Sequence, residues 1–119
     1  MYTKDGVKTF TAGEDLAKGR RVKLSSGSGT QVEYADAADD YIGVTLAAAD
    51  SGDSVPVALK RAYPGTVEVE AAAAISAGAT IYGAADGKVG TTSSGTDKFG
   101  VALEAASAAG AVIEAVMDD

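Results

Sequence analysis

The sequence predicts a mainly β fold: one small domain built from two copies of a single β unit. Three observations carry this expectation. Short runs alternate apolar and polar residues with period two, as in Thr66-Val-Glu-Val-Glu. A ten-residue segment recurs, since Asp40-Tyr-Ile-Gly-Val-Thr-Leu-Ala-Ala-Ala aligns without gaps on Asp97-Lys-Phe-Gly-Val-Ala-Leu-Glu-Ala-Ala, 57 residues later. An apolar-x-x-Gly motif also recurs, as Leu16-Ala-Lys-Gly19 and Ile75-Ser-Ala-Gly78.

Residues 1–6 carry no periodicity and read as an extended N-terminal arm, of the kind that can add a strand to a neighbour's sheet. Residues 7–11 alternate as a first strand. The Leu16 motif turns the chain at Gly19. Residues 21–24 and 31–34 flank a flexible Ser/Gly hairpin tip. A Gly43-Val strand follows. Residues 54–59 alternate, and Pro56 places them at a sheet edge, because proline cannot donate to a ladder. Lys60-Arg-Ala-Tyr-Pro-Gly then joins the copies. In the second copy, residues 66–70 alternate and the Ile75 motif turns at Gly78. Residues 80–82 and 88–90 flank an Asp86-Gly87 turn, and strands at 99–103 and 111–116 complete the unit.

The domain thus runs from 7 to 119, with copies at about 7–60 and 66–117. Two copies are too few for a solenoid, so a pseudo-symmetric closed or clipped β-domain is expected. Gly43 and Gly100 stand before valine in both copies, which marks a requirement of the fold. The Ala-rich pieces 47–49, 70–74 and 104–109 are too short for stable helices and read as bends or single helical turns.

Composition narrows the function. The 119 residues contain no Cys, His or Trp. A disulfide framework, a thiolate metal site and a His-dependent catalytic triad cannot be built from this chain alone. An enzyme is therefore disfavoured, and no cofactor is expected. Lys plus Arg is 10 against 17 Asp plus Glu, a net charge of −7. The longest basic cluster, Lys18-Gly-Arg20-Arg21-Val-Lys23, is preceded by Glu14 and Asp15, so no stripe for displacing counterions from nucleic acid is visible. The same acidity argues against an anionic membrane surface. The polar N-terminus does not read as a signal peptide, and no run of about 20 apolar residues is present, so a soluble chain made in a cytoplasm is expected. Alanine is abundant, at 25 residues, and small side chains bury little area each, so association with a partner would reinforce a modest core.

Most local motifs have plain structural readings. Gly27-Ser-Gly29 lacks the third glycine and following helix of a dinucleotide site. Asp36, Asp39 and Asp40, and Asp50 and Asp53, lack EF-hand spacing and read as loop charge. Lys88 lacks the flanking methionines of a modified carrier lysine, and the loop serines Ser25, Ser26, Ser93 and Ser94 lack a base. The residues chosen as candidate contacts are Tyr2, Lys4, Val7, Phe10, Arg61 and Tyr63, apolar and basic groups on or beside the arm and the linker.

Several segments together resemble the family of small phage capsid cement proteins. They are Leu16-Ala-Lys-Gly19, Tyr41-Ile-Gly-Val-Thr-Leu, Pro64-Gly-Thr-Val-Glu-Val, Ala74-Ile-Ser-Ala-Gly-Ala-Thr-Ile-Tyr, Phe99-Gly-Val-Ala-Leu and Gly110-Ala-Val-Ile-Glu-Ala-Val, and their order spans residues 7–117. The resemblance implies a domain of β-clip or β-tulip type, similar to the head decoration proteins of lambda-like phages. It implies binding to the outer surface of an expanded head and stabilisation by bridging neighbouring major capsid subunits. It also implies a homo-oligomer, favoured as a trimer, which Ala/Val-rich faces would serve, and it brings no catalytic residues. Two other virion roles compete: a carbohydrate- or receptor-binding β-module, and a fibre-base or tail component. With five Tyr and no Trp, aromatic platforms for sugar are scarce.

Overall fold

In the computed structural model, which describes residues 5–27 and 29–117, the chain folds into two five-stranded sheets. β1 (Val7–Ala12), β2 (Arg21–Leu24), β3 (Gln31–Tyr34), β4 (Gly43–Thr45) and β5 (Ser54–Leu59) close a small barrel in the order β1-β3-β2-β4-β5. β6 (Val67–Glu70), β7 (Thr80–Gly83), β8 (Val89–Gly90), β9 (Lys98–Ala102) and β10 (Val112–Met117) form the second sheet in the order β6-β10-β9-β7-β8. Read around the barrel from β1 through β5, the first order becomes the second when five is added to each strand number.

The sheets differ in closure. β1 and β3 pair in parallel at Thr11↔Gln31 and Ala12↔Val32. In the second sheet only an isolated parallel bridge, Ala71↔Val89, spans the corresponding gap. Both apolar-x-x-Gly motifs are pinned in the same way. Leu16 and Ala49 exchange two backbone hydrogen bonds at 2.8 and 2.9 Å, as do Ile75 and Ala106 at 2.9 and 2.8 Å. The Ala-rich pieces lie at these bridges as bends and turns, since alanine allows close backbone approach without a bulky side chain. Among the described residues the one helical element is a short 3-10 turn, Ala85–Gly87, at the tip of the β7–β8 hairpin.

Pro56 does not lie at an edge. β5 pairs with β1 on one side and β4 on the other. The Pro56 carbonyl accepts the Leu46 N–H at 2.9 Å just past the end of β4. The missing N–H therefore faces the point where the short β4 ladder has ended, and no ladder bond is forfeited. Gly43 does meet a packing requirement: a Cβ there would overlap the Ala58 carbonyl oxygen and lie 2.7 Å from Val57 Cγ1.

Two apolar clusters fill the interior. One lies inside the barrel and contains Phe10, Ala12, Leu16, Val22, Val32, Val55 and Val57. The larger is centred on the second sheet and takes in Ala35, Tyr41, Val44 and Ala58 from the first, so it spans both sheets. Its centre is the stacked pair Tyr41 and Phe99, both fully buried, with ring centroids 5.2 Å apart. The Tyr41 hydroxyl donates to the Phe99 carbonyl at 3.3 Å, which satisfies the one polar atom the ring brings inside.

Candidate functional site

The residues expected to form a contact site are only partly assembled. Tyr2 and Lys4 lie outside the described residues. Val7 opens β1 opposite Ala58, its N–H bonded to Asp5 Oδ1 at 3.1 Å. The Leu59 N–H donates to the Gly6 carbonyl at 2.7 Å, so the start of β1 lies against the inter-sheet linker. There the Ala62 and Tyr63 N–H groups both donate to the Leu59 carbonyl, at 3.3 and 2.9 Å, closing a tight turn. Arg61 sits in this turn at φ +65°, a conformation that costs a non-glycine residue about 1 kcal/mol or more, with its side chain exposed. Tyr63 is half-buried against the larger core. Val7, Arg61 and Tyr63 therefore lie near one another, where the start of β1 meets the linker. Phe10 points elsewhere: it is 6% exposed and packs inside the barrel, because alternation along β1 turns Phe10 and Ala12 inward.

The acidic loop forms a hydrogen-bonded structure of its own. Asp39 Oδ2 accepts Lys23 Nζ at 2.8 Å and the Asp36 N–H at 2.9 Å. The Lys23 bond is the main reason the Asp39 pKa lies below the ordinary carboxylate value and the Lys23 pKa above its own. Asp40 pairs with Lys60 at 2.6 Å, and the Lys60 ammonium stands 4.7 Å from the Tyr41 ring centroid. No group of three or more metal-ligating side chains converges among the described residues.

The basic cluster at the start of β2 has a role that its charge alone does not reveal. Each of its first three cations reaches the second sheet. Lys18 pairs with Glu68 at 3.0 Å on the surface. Arg20 donates through Nε and Nη2 to Glu70 Oε1 at 3.2 and 3.0 Å and through Nη1 to the Asp86 carbonyl at 2.9 Å. Arg21 is fully buried. Its Nε donates to the Lys88 carbonyl at 3.0 Å, and its Nη2 contacts the carbonyls of Ala84, Ala35 and Asp36 at 2.8, 3.0 and 3.2 Å. Nη1 is buried without a hydrogen-bond partner among the described residues. Burial lowers the Arg21 pKa from its ordinary value, and the nearby Asp97 charge opposes that shift. Gly83 makes the room, since a Cβ there would come within 2.8 Å of the guanidinium carbon. Backbone bonds run beside this clamp, from Glu70 N–H to the Gly19 carbonyl at 3.0 Å, Gly87 to Ala35 at 2.9 Å and Asp97 to Ala37 at 2.9 Å. The two sheets are thereby joined by side-chain and backbone hydrogen bonds and by the shared core.

These arginine contacts join the two sheets of the chain to one another, and comparison with known proteins says what kind of protein they build. The family model for phage cement proteins matches residues 2–117. The chain belongs to the phage cement protein family, whose members are structural proteins associated with the virion capsid. Among solved structures it is similar to the head fiber gp8.5 N base of bacteriophage phi29, at 25% identity and a TM-score of 0.74, over 94% of this chain and 92% of that one. No curated protein matches the chain.

Proposed function

We propose that this protein binds the outside of an expanded phage head and stabilises it by bridging neighbouring major capsid subunits, as a structural and not a catalytic component. The observation that carries the reading is the family match along nearly the whole chain. The two-sheet body supports it: the Arg20 and Arg21 clamp makes the module stiff, and a stiff module transmits load between subunits. The contact end is read as Val7, Arg61 and Tyr63, with Tyr2 and Lys4 leading into it. Binding as a trimer would place three such ends on neighbouring subunits, and simultaneous weak contacts multiply into avidity. A ligand that binds the assembled shell and not its free parts stabilises the shell by mass action.

The same reading takes the chain as an arm at 1–6 and one β-domain at 7–119 made of two copies, about 7–60 and 66–117. The shared strand order and the paired bridges Leu16↔Ala49 and Ile75↔Ala106 support it.

Cosedimentation tests the function. The protein is expected to pellet with expanded heads and not with unexpanded procapsids; recovery of the protein in the supernatant with both would refute the proposal. The likeness to a head fiber base favours one second reading, a base from which a fibre projects. A particle reconstruction separates the two, since a fibre base carries density continuing outward beyond this domain.

A further inference from the structure

The outward face of the second sheet carries three of the four large exposed apolar side chains among the described residues. Leu103, Val112 and Val116 are 45%, 54% and 36% exposed. Val116 lies directly opposite Val101 in the β9–β10 register. Leu103 continues the row, its N–H donating to the Glu114 carbonyl at 2.9 Å. A carboxylate stands among these side chains: Glu114 lies between Val112 and Val116 on the exposed side of β10, with Leu103 opposite it just past β9 and Glu68 opposite it on β6. Glu104 Oε1 accepts the Glu114 N–H at 2.7 Å, and Glu114 Oε2 accepts the Thr66 hydroxyl at 2.6 Å. Glu104 and Glu114 make no ion pair among the described residues, and the Lys18–Glu68 pair is exposed on both sides and therefore weak.

Folding does not account for this face. Alternation along β10 asks for apolar residues at Ile113 and Ala115, which are buried, and not at Val112 and Val116. Two glutamates directly opposite each other work against sheet stability. Apolar groups kept in water beside repelling carboxylates are the pattern of a surface that is covered in use.

We infer that this face docks onto a protein surface of the assembled head that sets Lys or Arg against Glu114, with apolar groups around it. The inference rests on the capsid reading above and adds to it a second contact, carried by the other sheet from Val7. Charge selects the partner. The face presents Glu68, Glu104 and Glu114 beside Lys18, so a second copy laying the same face against it meets like charge, and nucleic acid is repelled. A cationic protein surface gains both from the carboxylates and from covering the exposed valines.

Hydroxyl-radical footprinting of the unaltered protein, free and bound to expanded heads, tests this without risk to folding. Protection of Leu103, Val112 and Val116 on binding is the expected result. Binding to heads with these side chains still reactive would overturn the inference and leave the proposed function standing. Failure to bind heads at all would remove both. Protection already present in the free protein would mean that a second copy covers the face, which also overturns the inference. As a second arm, Leu103→Ser/Val116→Ser and Glu104→Gln/Glu114→Gln, checked for unchanged thermal melting, are each expected to weaken head binding about tenfold or more. The Gln pair is also expected to flatten the loss of binding with rising salt. Wild-type affinity and salt response in both variants would count against it.

Discussion

Arg21 Nη2 donates to the Ala84 carbonyl at 2.8 Å, tying the first strand of the barrel's hairpin to the hairpin of the second sheet across 63 residues of sequence. That bond is one of several from a single buried guanidinium to backbone oxygens. Of the four carbonyls it meets, those of Lys88, Ala35 and Asp36 also accept a backbone N–H, from Ala84, Gly87 and Asp39 at 2.9, 2.9 and 3.1 Å. The guanidinium thus joins oxygens from two sheets that are already part of the backbone network.

Arg21→Met keeps most of the length and removes every donor, while the Lys88, Ala35 and Asp36 carbonyls keep their backbone N–H partners. Urea denaturation is expected to show a loss of about 1–3 kcal/mol. Arg21→Lys keeps the charge, but one ammonium cannot replace a fork of donors, so a loss between those of Met and wild type is expected.

The Arg20–Glu70 pair is mostly shielded, its side chains 14% and 19% exposed. Glu70→Gln is expected to destabilise the protein by about 1–2 kcal/mol. In a double-mutant cycle with Arg20→Gln the losses should sum to less than additivity, because both substitutions remove the Arg20–Glu70 bonds. The Arg20 bond to the Asp86 carbonyl and the Glu70 pairing with Lys88 at 3.6 Å are each lost in one variant alone. Additive losses would show that the pair is not coupled.

Acid sensitivity is expected at the Asp39 loop. The folded pKa of Asp39 lies below its unfolded value, chiefly through the Lys23 hydrogen bond. Its contribution is therefore present above the unfolded value near 4 and is lost as pH falls through the lower folded value. Lys23 has the opposite sign: its raised pKa contributes below the unfolded lysine value and is lost only in strong alkali. Denaturation midpoints at neutral and strongly acidic pH should thus fall less far in Asp39→Asn than in the parent protein.

Phe99 stacks on Tyr41 where the core crosses from one sheet to the other. Phe99→Ala is expected to lose about 3–5 kcal/mol in thermal or urea unfolding. Tyr41→Phe removes the bond to the Phe99 carbonyl and is expected to lose about 1 kcal/mol.

The strands were legible where burial is one-sided. Val67 and Val69 are buried and Glu68 is exposed, so period two appears directly in the residue types. Pro56 and Phe10 were harder, because the feature that places each lies elsewhere in the chain. β4 stops beside Pro56, and the barrel closes around Phe10 through β3 and β5. The arginine clamp was hidden by distance, since its partners lie up to 67 residues away. A local signal did exist. Aligning Gly19 with Gly78 sets Arg20-Arg21 against Ala79-Thr80, and a divergence from small residues to two arginines at equivalent places marks a contact made by one copy with the other. That Arg61 and Tyr63 lie together was legible because the linker itself supplies both, whereas their approach to the start of β1 depends on the Leu59 N–H bond to the Gly6 carbonyl.

The arginine seam also constrains the order of events during synthesis. The strands of the barrel are all present once residue 59 has emerged, and its β1–β5 ladder needs nothing downstream. At that stage Arg21 has the Ala35 and Asp36 carbonyls but not those of Ala84 and Lys88. Until the second hairpin arrives, the guanidinium and the Tyr41 ring lack the partners that enclose them, so the burial of Arg21 and the Tyr41–Phe99 stack are completed only by the last half of the chain.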